Sequence, residues 1–365
     1  MAELVVDTKK IISNIRDIQE FLDSKNRLWS LIPKVLCGNE EVLERILIPD
    51  IVKGIHSIGD SRISNLQAIK NVNPDIVTMY IKPPAIPLVP EVVAVSDISL
   101  NTSLETILAI ENECIKQDKF HEVIIMIEMG ELREGVMRDK VVEFYEYIFN
   151  LTRVDVIGIG TNMGCMYGIE PTYDKLIQLA LFKELIEAKF KKKMKLVSGG
   201  SSINLMMLNS NRIPSNINHL RIGEAVFFGT TPLDEKQFMN LHTDVFVYKG
   251  NIIEMEEKET IPDGNFTPGN IGHTHETDTL NSSDEAIKIQ KAIVDFGILD
   301  VDFNDITALD KNLNFVGTTS DMTVYEVPKG KGKKQYKVGD TFDYSASYMG
   351  VAKLMNSKFI EKIII

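Results

Sequence analysis

Two short motifs in the second half of the chain have the composition of a phosphate-binding site. The first, Ser198–Ser202, reads SGGSS, and the second, Leu220–Gly229, reads LRIGEAVFFG. Small residues let backbone amides approach an anion, and Ser201 and Ser202 add hydroxyl donors just before an apolar segment that could begin a helix. We interpret the two motifs as a candidate phosphate cradle, with an ordinary polar turn as the alternative.

Other polar residues follow apolar runs that are typical of strands. Lys34 comes after a run that begins at Leu28, where desolvation would favour the uncharged amine that forms a Schiff base. The alternative is a lysine in a salt bridge within the barrel. Arg133 could hold a carboxylate or pair with a neighbouring glutamate, and Asn162 and Arg221 belong to two later runs.

Alternating patterns predict the frame that positions these residues. Isoleucines between residues 11 and 18 repeat at three-to-four spacing and predict an amphipathic helix. Apolar runs then alternate with helical segments, which is the pattern of an α/β fold with a (β/α)8 barrel. Such barrels bind phosphate after strands seven and eight, where both motifs fall. The predicted strands are 28–37, 54–58, 75–81, 92–96, 122–129, 154–160, 195–197 and 220–228.

The pattern changes after the second motif. Short runs with a period of two, such as 245–248 and 322–327, are separated by Gly, Pro, Asp and Asn. This texture predicts a smaller all-β domain. We therefore predict a barrel over residues 1–230 and a C-terminal β-domain over residues 231–365.

Composition limits the classes of partner and compartment. A formal net charge of −12 disfavours nucleic acid and anionic membrane surfaces as partners. Three cysteines without paired spacing, and no run of 18 apolar residues, predict a soluble cytoplasmic protein. His273 and His275 lie in a Gly-rich loop without a third ligand, so we predict no metal site.

At these residues the sequence resembles the alanine-racemase type (fold type III) of pyridoxal 5'-phosphate (PLP) enzymes. The shared features are a lysine after strand one, an arginine after strand five, a serine-containing turn after strand seven and Arg-x-Gly in strand eight. The longer motifs PKVLCGN, GDSRISNL, GTNMGC and LRIGE look most like ornithine racemases and related amino-acid racemases. The resemblance covers nearly the whole chain and implies a PLP-dependent racemase of a free amino acid.

The resemblance also implies a role for each site residue. Lys34 would hold PLP as a Schiff base and act as one acid–base group at the substrate α-carbon. Arg221 would face the pyridine nitrogen and keep it unprotonated, which favours proton exchange over decarboxylation or transamination. The remaining contacts would come from the phosphate-binding group Ser201, Ser202, Gly223, Glu224 and Tyr348, from Asn162 in place of a ring-stacking histidine, and from Arg133.

The sequence departs from the family in two places. Alanine racemases take their second acid–base group, a tyrosine, from the partner's β-domain, and the matching stretch 295–300 has no tyrosine. They also have a tyrosine four residues after the lysine, where this chain has Gly38. The second acid–base group therefore stays open between Asp321 and Cys165, although such residues are more often structural, as a turn aspartate and a buried thiol.

We expect ornithine or another basic amino acid as substrate, because Gly38 leaves room and Glu131, Glu134 and Asp321 could receive a terminal ammonium. A racemase needs an acid–base group on each face of the α-carbon, so we also predict a head-to-tail homodimer. The alternatives are an alanine or broad-specificity racemase, and a PLP-binding homeostasis protein without turnover. The β-domain argues against that last class, and Arg221 argues against a decarboxylase of the same fold.

Overall fold

The computed structural model describes residues 2–233, 236–264, 272–274, 287–330 and 333–365. The chain divides into a barrel unit, Thr8–Thr243, and a β-unit made of Met1–Asp7 and Asp244–Ile365. The barrel unit thus ends later than the predicted residue 230. The reason is local: the segment after Gly229 returns to the first helix, where Asn14 bonds the backbone N–H and C=O of His242 at 2.7 and 2.9 Å.

Eight parallel strands close into a barrel within the described part of Thr8–Thr243, as the sequence predicts. The last strand pairs with the first, with Ser30 opposite Arg221 and Leu31 opposite Ile222. Closure therefore places the residues after these two strands side by side. After β1 (Glu3–Val6), the barrel strands are β2 (Leu28–Leu31), β3 (Ser57–Asp60), β4 (Thr78–Tyr80), β5 (Ile98–Asn101), β6 (His121–Met126), β7 (Val154–Gly160), β8 (Leu196–Ser198) and β9 (His219–Ile222).

Helices connect the strands of this unit. They are α1 (Thr8–Ser24), α2 (Glu40–Ile46), α3 (Pro49–Val52), α4 (Ile63–Val72), α5 (Val89–Val95), α6 (Leu104–Gln117), α7 (Val141–Ile148), α8 (Tyr173–Phe190), α9 (Leu205–Asn209) and α10 (Glu224–Phe228). The first helix buries Ile11, Ile15 and Ile18, so the predicted amphipathic pattern is confirmed.

Three predicted strands include residues that lie in helical elements of the structure, and of the eight predicted strands only 154–160 keeps its bounds. The predicted strand 92–96 is wrong, because residues 92–95 belong to α5, whose first turn contains Pro90 and whose buried valines follow helical spacing. The predicted strand 28–37 ends at Leu31, after which Pro33 leads into a 3-10 turn, Lys34–Leu36. The predicted strand 220–228 ends at Ile222 and continues as α10.

Buried side chains of the barrel strands form an apolar cluster and a separate polar group. The apolar cluster is Met79, Ile98, Leu100, Ile124, Met126, Ile157 and Leu196. The polar group lies on the neighbouring strands β8, β9, β2 and β3 and is Ser198, His219, Arg221, Ser30 and Ser57. Polar groups buried in a barrel need hydrogen-bond partners, and these side chains bond one another.

The β-unit is a mainly antiparallel sheet in which β1 pairs with the first and last strands of the C-terminal part. The rings of Tyr248, Phe296 and Tyr344 pack together in its core. The all-β prediction is confirmed, with one helix added. The elements are β10 (Phe246–Glu259), β11 (His273–Thr274), β12 (Lys288–Val294), β13 (Ile306–Ala308), β14 (Asn314–Thr318), β15 (Thr323–Glu326), β16 (Thr341–Ala346), α11 (Tyr348–Asn356) and β17 (Glu361–Ile364).

Within the residues that the structure describes, no helix is both long and apolar enough to cross a membrane.

Candidate active site

Lys34 stands at the carboxyl end of β2, where a barrel builds its active site. The backbone N–H of Ile32 donates to the carbonyl of Ile222 at 2.8 Å, so the turn that begins at Lys34 starts beside the end of β9. The Lys34 side chain is exposed. Burial raises the pKa of the neighbouring Asp60 carboxyl, and the positive charge of Lys34 opposes that shift.

Arg221 is the buried cation of the site, with 5% of its surface exposed. Its guanidinium donates to the Ser198 hydroxyl, to the Thr161 carbonyl at 2.9 Å and to the Asn162 side-chain oxygen. In the described part of the chain, no carboxylate bonds it directly. Burial lowers the pKa of Arg221 to about 10, so the side chain stays charged at neutral pH and donates at every nitrogen.

A second arginine is linked to the first through a carboxylate and an amide. Arg133 pairs with Glu134, with a bond of 2.6 Å from Nη2, and Glu134 accepts from the Asn162 amide that also contacts Arg221. Burial would raise the pKa of Glu134, but the bonds from Arg133 and Asn162 outweigh it and lower the pKa. Asn162 therefore bridges Arg221 to an ionised glutamate, a contact that the sequence did not reveal.

The carboxylate of Glu131 is occupied by backbone amides, so it is not available to bind a substrate. Its carboxylate is 2% exposed and accepts four backbone N–H groups of one loop, from Gly164, Cys165, Tyr167 and Ile169, at 2.8 to 3.3 Å. The proposal that Glu131 receives a terminal ammonium is therefore wrong. Its role is to fix the loop that follows β7.

The two motifs of the candidate phosphate cradle lie in direct contact. The Ser202 hydroxyl accepts the backbone N–H of Gly223 at 3.4 Å and of Ala225 at 3.2 Å. Gly200 has φ of +138°, a conformation that favours glycine. A Cβ on Gly223 would come within 2.8 Å of the Ile32 carbonyl oxygen, so the glycine is needed for close approach. Sequence reasoning missed Ala225, because an alanine carries no motif signal.

The other predicted residues are divided between the units. Cys165 is exposed next to Arg133, so the buried-thiol alternative is wrong. Asp321 and Tyr348 belong to the β-unit: Asp321 is exposed and accepts from the Ser320 hydroxyl at 2.9 Å, and Tyr348 is half-buried at the start of α11.

No group of three or more His, Cys, Asp or Glu side chains able to hold a metal ion occurs in the described ranges, and His275 lies outside them.

Comparison with known proteins places the chain in a family. The family described as alanine racemase, N-terminal domain, matches residues 6–231. An ornithine racemase of Acetoanaerobium sticklandii is 28% identical over 361 residues, 99% of this chain and 98% of that protein. A lysine racemase of Thermotoga maritima is 29% identical over 360 residues, 99% of this chain and 97% of that protein.

Solved structures agree on the fold. An alanine racemase of Bartonella henselae with covalently bound pyridoxal phosphate aligns with a TM-score of 0.73 at 16% identity, covering 100% of this chain and 99% of that chain. An alanine racemase of Clostridium difficile 630 aligns with a TM-score of 0.73 at 12% identity, covering 100% of this chain and 95% of that chain. The chain therefore belongs to the alanine racemase N-terminal domain family.

Proposed function

We propose that the protein is a PLP-dependent racemase that interconverts the L and D forms of a basic amino acid. Ornithine and lysine are the first candidates for its substrate. The observation that carries the proposal is the arrangement at the barrel closure, where Lys34 follows β2 and Arg221 lies on the adjoining β9. The full-length similarity to an ornithine racemase and a lysine racemase supports the substrate class.

The residues present fit the chemistry of PLP. The Ser202 hydroxyl lies against the backbone amides of Gly223 and Ala225, and a Cβ on Gly223 would meet the Ile32 carbonyl oxygen at 2.8 Å, so the second motif packs closely on both sides. We assign the phosphate to the place where Ser202 meets the second motif, with Ser201 and the Glu224 amide beside it. Lys34 provides an exposed amine for covalent attachment, and Arg221 provides a guanidinium donor for the ring nitrogen.

PLP, when bound, supplies the electron withdrawal that makes the substrate α-proton acidic. Lys34 would move that proton on one face of the α-carbon. Arg221 has no proton to release at neutral pH, so it would hold the ring nitrogen as a hydrogen-bond acceptor and limit charge delocalisation into the ring. Asn162 and Ser198 orient the guanidinium, and Arg133 would hold the substrate carboxylate.

The second acid–base group is one of two residues. Cys165 lies in the barrel unit, exposed and beside Arg133. Asp321 lies in the β-unit and is exposed. We propose a homodimer in which the partner's β-unit completes the barrel mouth, because proton exchange needs a group on each face of the α-carbon.

Of the three carboxylates considered for the terminal ammonium of the substrate, Glu131 is occupied by four amides and Glu134 by Arg133 and Asn162. Asp321 is the remaining candidate. The acidic composition and three cysteines without paired spacing support a cytoplasmic location.

The substrate class is tested by chiral chromatography of purified holoenzyme incubated with L-ornithine, L-lysine, L-arginine, L-alanine and L-serine. We expect the highest kcat/KM with ornithine or lysine. If alanine has the highest value, the substrate proposal is wrong and the racemase proposal stands. If PLP is bound and no amino acid racemises, the protein is a PLP-binding protein without turnover.

A further inference from the structure

A continuous chain of hydrogen bonds runs across four neighbouring barrel strands and ends at Arg221. Arg221 donates to the Ser198 hydroxyl, which lies 2.8 Å from Nδ1 of His219. Nε2 of His219 lies 2.9 Å from the Ser30 hydroxyl, which is 2.7 Å from the hydroxyl of Ser57. All five side chains are at least 95% buried.

The chemistry of the donors determines which atom donates in each of these hydrogen bonds. A guanidinium can only donate, so the Ser198 oxygen accepts from Arg221. In the part of the chain described here, the other bond of the Ser198 hydroxyl is to His219, so its proton points to Nδ1. Nδ1 is then unprotonated, and the single proton of the neutral ring lies on Nε2 and is donated to Ser30.

We propose that His219 is a positioning residue: as a neutral acceptor at Nδ1, it orients the Ser198 hydroxyl so that its oxygen faces Arg221 and fixes the guanidinium. The kinetic part of this proposal rests on the proposed racemase function. His219 does not touch the reacting atoms. Its contribution is to prevent the Ser198 hydroxyl from rotating until its proton faces the Arg221 guanidinium.

The surroundings of His219 favour the neutral ring that this role requires. Burial lowers the pKa of His219 well below its ordinary value, and the charges of His56 and Arg221 lower it further. The His56 and His219 rings lie 5.4 Å apart. A protonated His219 would donate from both nitrogens and would leave the Ser198 proton directed at Arg221.

The test uses three substitutions of His219 and one matched control. The side-chain oxygen of Asn can stand near Nδ1, and the amide of Gln reaches the Nε2 position, whereas Phe removes both. The control is His121→Phe, because His121 is also buried and bonded to a serine, Ser99, at 2.7 Å, but has no contact with Arg221.

Two readouts are measured on each variant. The first is the NMR signal of the Arg221 guanidinium in the full-length apoprotein, assigned by its loss in Arg221→Lys. The second is kcat and KM of the PLP-loaded enzyme. We expect His219→Phe and His219→Gln to broaden the Arg221 signal and lower kcat by about 10- to 100-fold with a smaller change in KM. We expect His219→Asn and His121→Phe to keep the wild-type Arg221 signal and the wild-type kcat and KM.

Three results would overturn the proposal. They are an unchanged Arg221 signal in His219→Phe, an equal loss in His121→Phe, and a folded His219→Asn protein that behaves like His219→Phe. If His219→Asn does not fold, the comparison of the two Phe variants still decides. If the wild type racemises no amino acid, the racemase proposal fails, and the NMR readout of the apoprotein still tests the role of His219.

Discussion

The hydroxyl of Ser202 accepts the backbone N–H of Gly223 at 3.4 Å and so joins two motifs that are 21 residues apart. The same oxygen accepts the N–H of Ala225. This contact holds the two motifs side by side, as a phosphate site built from both of them requires.

Replacement of this hydroxyl should weaken coenzyme binding. We expect Ser202→Ala to raise the dissociation constant of PLP about tenfold, which corresponds to about 1.4 kcal/mol. Fluorescence titration of the apoprotein measures it, and Ser210→Ala, an exposed serine that bonds the Met206 carbonyl, is the control. Equal affinities for all three proteins would contradict the phosphate assignment.

Glu131 should make the stability of the barrel unit depend on pH. Burial raises the pKa of its carboxyl, but the backbone amides of Tyr167, Cys165 and Gly164 outweigh burial, so the folded pKa lies below the ordinary value. The carboxylate therefore contributes stability above the unfolded pKa, and this contribution is lost as pH falls through the folded pKa.

We expect Glu131→Gln to destabilise the protein by about 2–3 kcal/mol at pH 7, because an amide cannot accept the bonds that a carboxylate accepts. The difference from wild type should shrink as the pH falls below about 4, near the ordinary pKa of a glutamate. Urea unfolding at several pH values measures this, and Glu170→Gln, an exposed glutamate in the same loop, should have little effect. A pH-independent difference would contradict the role assigned to the carboxylate.

Arg221 should control the outcome of the reaction as well as its rate. With a carboxylate in its place, the ring nitrogen can become protonated, so we expect Arg221→Glu to slow racemisation and to raise transamination. Chiral chromatography and detection of the keto acid measure both products, and the exposed Arg212→Glu is the control. An unchanged product ratio in Arg221→Glu would mean that the residue has only a structural role.

The proposed homodimer predicts that specific activity depends on protein concentration. If the partner's β-unit completes the barrel mouth, specific activity should fall as the protein is diluted below its dimerisation constant. Sedimentation velocity and activity are measured at the same concentrations. A monomer with full specific activity would show that one chain supplies both acid–base groups.

Sequence patterns predicted the barrel because each buried parallel strand is a short apolar run. They failed at 92–96, where a valine-rich segment has the composition of a strand, and Pro90 in the first turn allows a helix. Lys34, Ser202 and Arg221 could be proposed as site residues because they stand in motifs with a mechanism. His219 could not be predicted, because its partners Ser30 and Ser198 come from strands that only barrel closure brings together.

The hydrogen-bond partners of Glu131 and Glu134 could not be predicted from the sequence either. Glu131 and Glu134 stand close together in the chain, and both are acidic residues after a strand. The fold gives one of them four backbone amides and the other an arginine and an asparagine. Composition cannot distinguish a carboxylate that fixes a loop from one that receives a substrate.

Borohydride reduction of the holoenzyme, followed by peptide mapping, shows which lysine carries PLP. We predict a single pyridoxyl adduct on the peptide that contains Lys34, its absence in Lys34→Ala, and its retention in Lys175→Ala, whose lysine bonds the Met129 carbonyl at 2.6 Å. An adduct on another lysine of the wild type, or undiminished labelling of Lys34→Ala, would show that Lys34 does not hold the coenzyme.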